Sequence, residues 1–259
     1  MCTENNLSLL QNSILMRRFL FFLLLLATAG AQSAFAQKTL EKSVSLAKGQ
    51  RLYLNLKQAS SIRIHAGAGG KMTLKASVSI NQNHLNDALL LGTEQSGEEV
   101  KVTSEFDKEM LRQAQPGDCP TGGSYYGDTY ISNGKAQDRD GNHISQVCAV
   151  IEYDITVPAD VNLRVSTLSG NIDIAGLTGP IEAKSLSGFV DVAWSASQGA
   201  ELALKTITGE VYTDQEIAFT SEPKKNPLVG YQIRGTLKGS GPLVKLESIS
   251  NDVYFRKRK

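Results

Sequence analysis

The chain has 259 residues, 41% of them hydrophobic and 20% charged, with 27 Lys+Arg against 26 Asp+Glu. So even a balance argues against a nucleic-acid partner, which selects a basic face. Of the three histidines, His65, His84 and His143, none sits in a nucleophile or metal-spacing motif, so no catalytic residue, metal or cofactor is expected.

Residues 1–36 read as an address for export. Arg17 and Arg18 form a basic start, FLFFLLLLATAGA from Phe19 is an apolar core, and Ala34-Phe35-Ala36 is a small-x-small site, with cleavage expected after Ala36. The apolar run is short against the ~20 residues of a membrane-spanning helix, and no cysteine follows it to carry a lipid, so no stable membrane insertion is expected. Met16 directly precedes the arginines and is the expected true start. Without residues 1–36, Lys+Arg falls to 25 and Asp+Glu to 25, and Cys119 and Cys148 are the remaining cysteines. An even pair in an oxidising compartment reads as one disulfide, closing a loop of about 30 residues for ~3 kcal/mol.

The remainder divides into three zones of one domain. Residues 37–106 alternate apolar and polar residues in SVSL, RLYLNL, SIRIHA, KMTLKASVSI and EEVKVTSEF, which predicts antiparallel strands. HLNDALLLG predicts a short helix between two of them. Residues 107–147 are polar and aperiodic, the character of a functional or loosely ordered excursion, here tethered by the cysteines. Residues 148–259 begin with the strand CAVIEYDITVP and then repeat themselves.

The repeats are LRVSTLSGNIDI from Leu163, IEAKSLSGFVDV from Ile181, LALKTITGEVYT from Leu202 and VKLESISNDVYF from Val244. Gly170, Gly188, Gly209 and Asn251 hold the same place in each, where a left-handed turn is expected. A fixed-period unit too small to bury its own apolar face implies stacked copies, a short β-solenoid or β-helix-like array with strands ~4.8 Å apart. The spacing of 42 residues from Gly209 to Asn251 is twice 21, which predicts one degenerate coil between them, built from SEPKKNPLVG and YQIRGTLKG. A β-sandwich of similar strands is the alternative architecture.

Strands of the VxLxKG type, the IxYxIxVP strand and the recurring [ST]-[LI]-[ST]-G-x-[IV]-x-[IV] units resemble the bacterial putative-adhesin family over roughly residues 40–259. The resemblance implies an exported β-solenoid-like domain without an assigned activity. The last unit departs from the pattern with Asn251 in place of Gly, and the cysteine-closed insertion is extra.

Three candidate sites stand beside structural readings. In GGSYYGDTYISNG, Tyr125, Tyr126 and Tyr130 sit among Gly, Ser and Asn, giving aromatic contact area on an adaptable loop. Packing over the scaffold is the other meaning of these tyrosines. Asp173 and Asp191 share a repeat position and should face outward from neighbouring units, as paired carboxylates for a cation or for acid–base work; a solvated outer position explains them equally. The hydroxyl columns Thr167, Ser185, Thr206, Ser248 and Ser169, Ser187, Thr208, Ser250 read as strand–turn glue, with a flat sugar-binding surface as the alternative. DRDGNHIS from Asp138 reads as a hairpin turn at Asp140-Gly141 rather than a calcium loop. Arg256 to Lys259 read as a solvated end or an edge guard.

Three functions remain. The first is an exported, non-enzymatic adhesin-like binding or scaffold protein of the bacterial envelope, periplasmic or extracellular, whose partner is an envelope glycan or protein, with self-association left open. The second is a carbohydrate-active β-helix enzyme resting on Asp173 and Asp191. The third is an accessory factor that binds protein by strand addition at an open end of the stack, taken to be the C-terminal strand.

Overall fold

The computed structural model describes residues 36–125, 130–132, 135–137, 141, 146–220 and 231–258. Alternation of apolar and polar residues becomes strand along most of them. The first group is β1 (Lys38–Ser45), β2 (Arg51–Leu56), β3 (Ser61–Gly67), β4 (Lys71–Ile80), β5 (Leu89–Gln95) and β6 (Glu99–Phe106). Helix α1 (Lys108–Leu111) and the hairpin strands β7 (Tyr130–Ser132) and β8 (Lys135–Gln137) belong to the insertion. The second group is β9 (Ala149–Pro158), β10 (Asn162–Thr167), β11 (Asn171–Ala175), β12 (Ile181–Ser185), β13 (Val190–Trp194), β14 (Ala200–Thr206) and β15 (Val211–Thr213). The chain ends with β16 (Ala218–Phe219), β17 (Tyr231–Leu237), β18 (Leu243–Ser248) and β19 (Val253–Lys257).

The strands form two large mixed sheets and one small hairpin. Sheet A runs β1-β4-β9-β3-β11-β13-β19-β15, and sheet B runs β16-β17-β14-β18-β12-β10-β2-β6-β5. From Gln37 onward the chain is one unit. Each repeat places one strand in each sheet and lies parallel and in register on its neighbour. In sheet B, Leu163 faces Ile181, Ile181 faces Val244 and Val244 faces Leu202. In sheet A the matching sequence is Ile172, Val190, Val253 and Val211. These inward rows meet in one core whose largest fully buried side chains are Trp194, Tyr153 and Phe255. Each buried Leu, Ile or Val adds about 1.5–3 kcal/mol by leaving water.

The stacking order corrects the sequence reading. The fourth repeat lies between the second and the third in both sheets, so spatial order is not chain order. Among the described residues no degenerate coil intervenes: SEPKKNPLVG lies outside them, and YQIRGTL is β17, which pairs antiparallel with β14 on the far side of the stack. A further unit hides in residues 51–67, expected to be antiparallel. There β2 and β3 lie parallel on β10 and β11, with Leu52 facing Leu163 and Ile62 facing Ile172. Strands β6 and β9 add one more layer, parallel to β2 and β3, and the insertion is the connection between them. Antiparallel pairing in this region is confined to β1, β4 and β5. The expected helix at HLNDALLLG is a single 3-10 turn, Asn86–Ala88, leading into β5.

The corners where the chain passes from sheet B to sheet A also differ from expectation. The left-handed backbone expected at Gly170, Gly188, Gly209 and Asn251 is absent from all four. Close approach is what demands glycine: a Cβ on Gly188 would lie 2.0 Å from the Gly170 carbonyl oxygen, and one on Gly209 would lie 2.2 Å from that of Asn251. Buried hydroxyls complete each corner. Ser185 donates to Gly170 O at 2.8 Å and accepts from Gly188 N at 2.8 Å; Ser248 and Thr206 repeat the pattern on Gly188 O and Asn251 O. The glue reading of this column is right for three members, whereas the Thr167 hydroxyl has no partner among the described residues. Leu168 and Leu186, apolar residues at one shared position of the repeat, project into solvent at these corners, 51% and 43% exposed.

Gly188→Ala should therefore destabilise the protein by about 3 kcal/mol or more, the upper range for forced overpacking. A urea melt checks this, and an unchanged midpoint would deny the close corner contact.

Candidate functional site

The insertion is anchored more tightly than its composition suggests. Cys119 and Cys148 are disulfide-bonded across a Cα separation of 5.6 Å. Asp107 caps α1 by accepting from the backbone of Glu109 and Met110, and Leu111, Ala114 and Val147 bury themselves against the core. Beside the disulfide, Asn81, Gln82 and Asn83 form a left-handed turn with φ of 48°, 55° and 75°. Such a run is costly for residues bearing a Cβ and persists where side chains hold it. Asn81 is fully buried; its amide donates to Asp118 at 3.2 Å while its carbonyl accepts from Cys148 N at 3.0 Å. Burial pushes the Asp118 carboxyl up, but the Gln115 amide, Asn81 and neighbouring His84 outweigh it and hold the group below its ordinary value.

Tyr125 stands at this base, 41% exposed. Tyr126 lies outside the described residues, and Tyr130 begins β7, where its backbone alone is described. The described hairpin pairs Tyr130 with Gln137 and Ser132 with Lys135, flanking Asn133-Gly134. Asn133 and Gly134 lie outside the described residues, as does Asp140 of the turn expected at Asp140-Gly141, where Gly141 has a φ of 84°. His65 and His84 are surface groups, His65 bonded to Thr156 at 2.8 Å and His84 lying 3.5 Å from Asp118.

The acidic pair is brought together, with unequal surroundings. Asp173 and Asp191 are direct register partners on β11 and β13. Asp191 is buried, 6% exposed, and both its oxygens are engaged by the Arg256 guanidinium from β19, so it is not the free outward carboxylate expected. Asp173 is half-buried and makes no ion pair among the described residues. Its carboxyl is raised above the ordinary value by that burial, against the pull of Arg256 and Arg63. A pair in which one member is neutralised by a fixed arginine is a poor acid–base couple.

The same row continues into an aromatic group that the sequence left unread as a site. Next to Asp191 come Tyr254 on β19 and Tyr212 on β15, in register. Their rings stack at 5.2 Å with planes 13° apart, and Phe189 meets Tyr254 edge-on at 6.0 Å. Arg256 lies over the Tyr254 ring at 5.7 Å. Each tyrosine is fixed at its tip: Tyr212 donates to Glu210 at 2.7 Å and Tyr254 to Asp252 at 3.0 Å. Glu210 thereby pushes the Tyr212 hydroxyl up to about 12, and Asp252 raises that of Tyr254. A sequence signal was present, since both tyrosines share the repeat position of the two aspartates. Arg256, Lys257 and Arg258 are exposed, as a solvated end requires, but they guard no edge, because β19 lies between β13 and β15; Lys259 lies outside the described residues.

No family model matches the chain, and no curated protein matches it. Among solved structures, a putative cell adhesion protein from Clostridium sporogenes shares the fold. That likeness covers 86% of this chain and 100% of that one, with a TM-score of 0.50 at 12% identity. A putative adhesin from Bacteroides fragilis aligns over 86% of this chain and 98% of its own, at 9% identity and a TM-score of 0.23, too low to bear on the fold. The Clostridium sporogenes protein is described as a cell adhesion protein, in keeping with the adhesin family that the sequence resembles.

Glu210→Gln should return the Tyr212 titration from about 12 toward the ordinary 10.0. Tyrosinate absorbance across an alkaline titration reads this directly, and an unmoved curve would contradict the Tyr212–Glu210 bond.

Proposed function

We propose that this protein is an exported, non-enzymatic binding or scaffold protein of the bacterial envelope, built as a short solenoid-like stack that presents side-chain rows to a glycan or protein. The observation that carries this reading is the in-register parallel stacking of successive units, which turns repeat positions into continuous outer rows on a rigid support. The disulfide supports an oxidising compartment, and the fold likeness to a putative cell adhesion protein supports the same class of role. Residues 1–36 are proposed as the leader, removed after Ala36. Among the described residues no helix is long and apolar enough to cross a membrane.

In this reading the disulfide-anchored insertion is one recognition element. It forms the connection between β6 and β9, and Tyr125 stands exposed at its base. The enzyme reading loses its main support with Asp191 held by Arg256. Strand addition at the C-terminal strand is excluded by the interior place of β19. The ends of sheet A are instead β1 and the three-residue β15.

The test is capture of envelope polysaccharides and proteins by the native chain and by a Tyr125→Ala, Tyr126→Ala, Tyr130→Ala variant. Capture by the native chain, reduced at least about tenfold in the variant, is expected if the three rings each give an ordinary aromatic contact. Failure of the native chain to capture anything would contradict the binding reading. Equal capture by both would remove the insertion from it.

A further inference from the structure

The outer faces of the two sheets differ in a way that bears on ligand class. Sheet B is laced with self-satisfied ion pairs: Lys245 with Glu182 at 2.8 Å, and Glu247 between Lys184 at 3.2 Å and Lys205 at 3.5 Å. Arg164 covers Tyr53 at 4.6 Å, so the aromatic ring on that face is already occupied. Sheet A, from β11 to β15, has the opposite character. Its outermost ring, Tyr212, is exposed, and carboxylates outnumber the cations of the strip.

Three rows make up this part of sheet A. The middle row runs Asp173, Asp191, Tyr254, Tyr212. Above it, on the corner side, Phe189 and the carboxylates of Asp252 and Glu210 hold the two tyrosine rings in place. Below it, register places Ala175 beside Ala193 and Ala193 beside Arg256. Two adjacent alanines next to Asp173 and Asp191 leave a low floor where other positions of the row carry long side chains. Tyr212 lies on the last strand of the sheet, 44% exposed, so one face of its ring rests on Tyr254 while the other meets no further strand among the described residues.

We propose that this strip of sheet A, from Asp173 to Tyr212, is a binding site for an uncharged hexopyranose chain. The strip spans three strand spacings, or about 14 Å. A pyranose ring has one face of C–H groups and a rim of hydroxyls. The C–H face seats on an aromatic ring, which gives apolar contact without demanding a deep pocket. Hydroxyls then find acceptors in Asp173, the one carboxylate of the row without an ion pair, and in the outer lone pairs of Glu210 and Asp252. The charge rejects the obvious alternative. Within the strip Asp173, Asp191, Glu210 and Asp252 stand against Arg256, which is already committed to Asp191, while Arg63, the register partner of Asp173, and Arg258, beside Gly176, flank it. The surplus of carboxylates repels a polyuronate or other polyanion, so a neutral chain is favoured over acidic polysaccharide.

The rings are also pre-ordered. Each is locked by a neighbouring ring and by a hydrogen bond at its tip, so little side-chain freedom remains to be lost on binding. This proposal rests on the binding reading above and is independent of the insertion.

The experiment is affinity electrophoresis of the full 259-residue chain, expressed in an exporting bacterium, through gels containing a soluble neutral β-glucan, a neutral mannan, dextran or polygalacturonate. Retardation by at least one neutral polymer and none by polygalacturonate is expected. Tyr212→Ala should weaken that retardation about tenfold, and Tyr212→Phe should retain it, because the ring face makes the contact. Asp173→Asn, which removes an acceptor without touching the aromatic group, should also weaken it, by about tenfold. Unchanged Trp194 emission confirms that each variant is folded. No retardation by any neutral polymer overturns the proposal, as does equal retardation of the native and Tyr212→Ala proteins or a preference for polygalacturonate. If envelope protein is captured while no neutral glycan binds, the proposal falls and the binding reading stands. If neither is bound, both fall.

Discussion

Backbone meets backbone at each corner of the stack, and the register of both sheets depends on that contact. A side chain at Gly188 would enter the Gly170 carbonyl at 2.0 Å, so the unit above descends until Ser185 bridges the two corners with a pair of 2.8 Å hydrogen bonds. Once the corners are seated, strands on either side have one alignment available. A slip by one residue would turn Ile172 and Val190 outward and bury Asp173 and Asp191 in the core. The outer rows follow from the same constraint. Carboxylates and tyrosines that are far apart in the chain become neighbours ~4.8 Å apart because the corners fix them there.

The same geometry explains how the molecule closes its sheets. At one end, antiparallel β1 and β5 take the place of further units, linked across the sheets by Lys38 to Asp87 and by Lys42 to the Leu91 carbonyl at 2.8 Å. At the other, β17 and β16 extend sheet B, while sheet A stops at the three-residue β15. A short edge offers little backbone for pairing, which guards against uncontrolled strand addition. What it leaves open is the Tyr212 ring. One end is latched by lysines and the other presents an aromatic face.

Much of this was legible in the sequence, for physical reasons that also mark where the reading stopped. The period-2 alternation in LRVSTLSGNIDI and its copies states both the strand and the corner, because one residue type serves one environment throughout. The disulfide followed from two cysteines in a chain whose first 36 residues read as an address for export. The hidden unit at residues 51–67 was missed because its corner is one residue longer: Leu52 to Ile62 spans ten positions where Leu163 to Ile172 spans nine, and Ala59 stands near the glycine place. Spatial order could not be read, since the third and fourth repeats present near-identical faces to the second. The site was half visible. Tyr212 and Tyr254 share the repeat position of Asp173 and Asp191, and the stack makes them the continuation of the same row. The role of Arg256 depended on knowing that β19 is interior.

The interleaved order of the units is the central claim, since it creates the Asp191–Arg256 bridge and the Tyr254–Tyr212 stack together. Cysteine pairs test it most directly. Lys184 and Glu247 are register partners on β12 and β18, and Lys205 follows Glu247 on β14. Adjacent strands lie ~4.8 Å apart, inside the Cα range that a disulfide can bridge, whereas two strand spacings lie outside it. Mild oxidation should therefore cross-link the Lys184→Cys, Glu247→Cys protein and leave the Lys184→Cys, Lys205→Cys protein unlinked. Linkage of the second pair and not the first would mean that the repeats stack in chain order, contradicting the account.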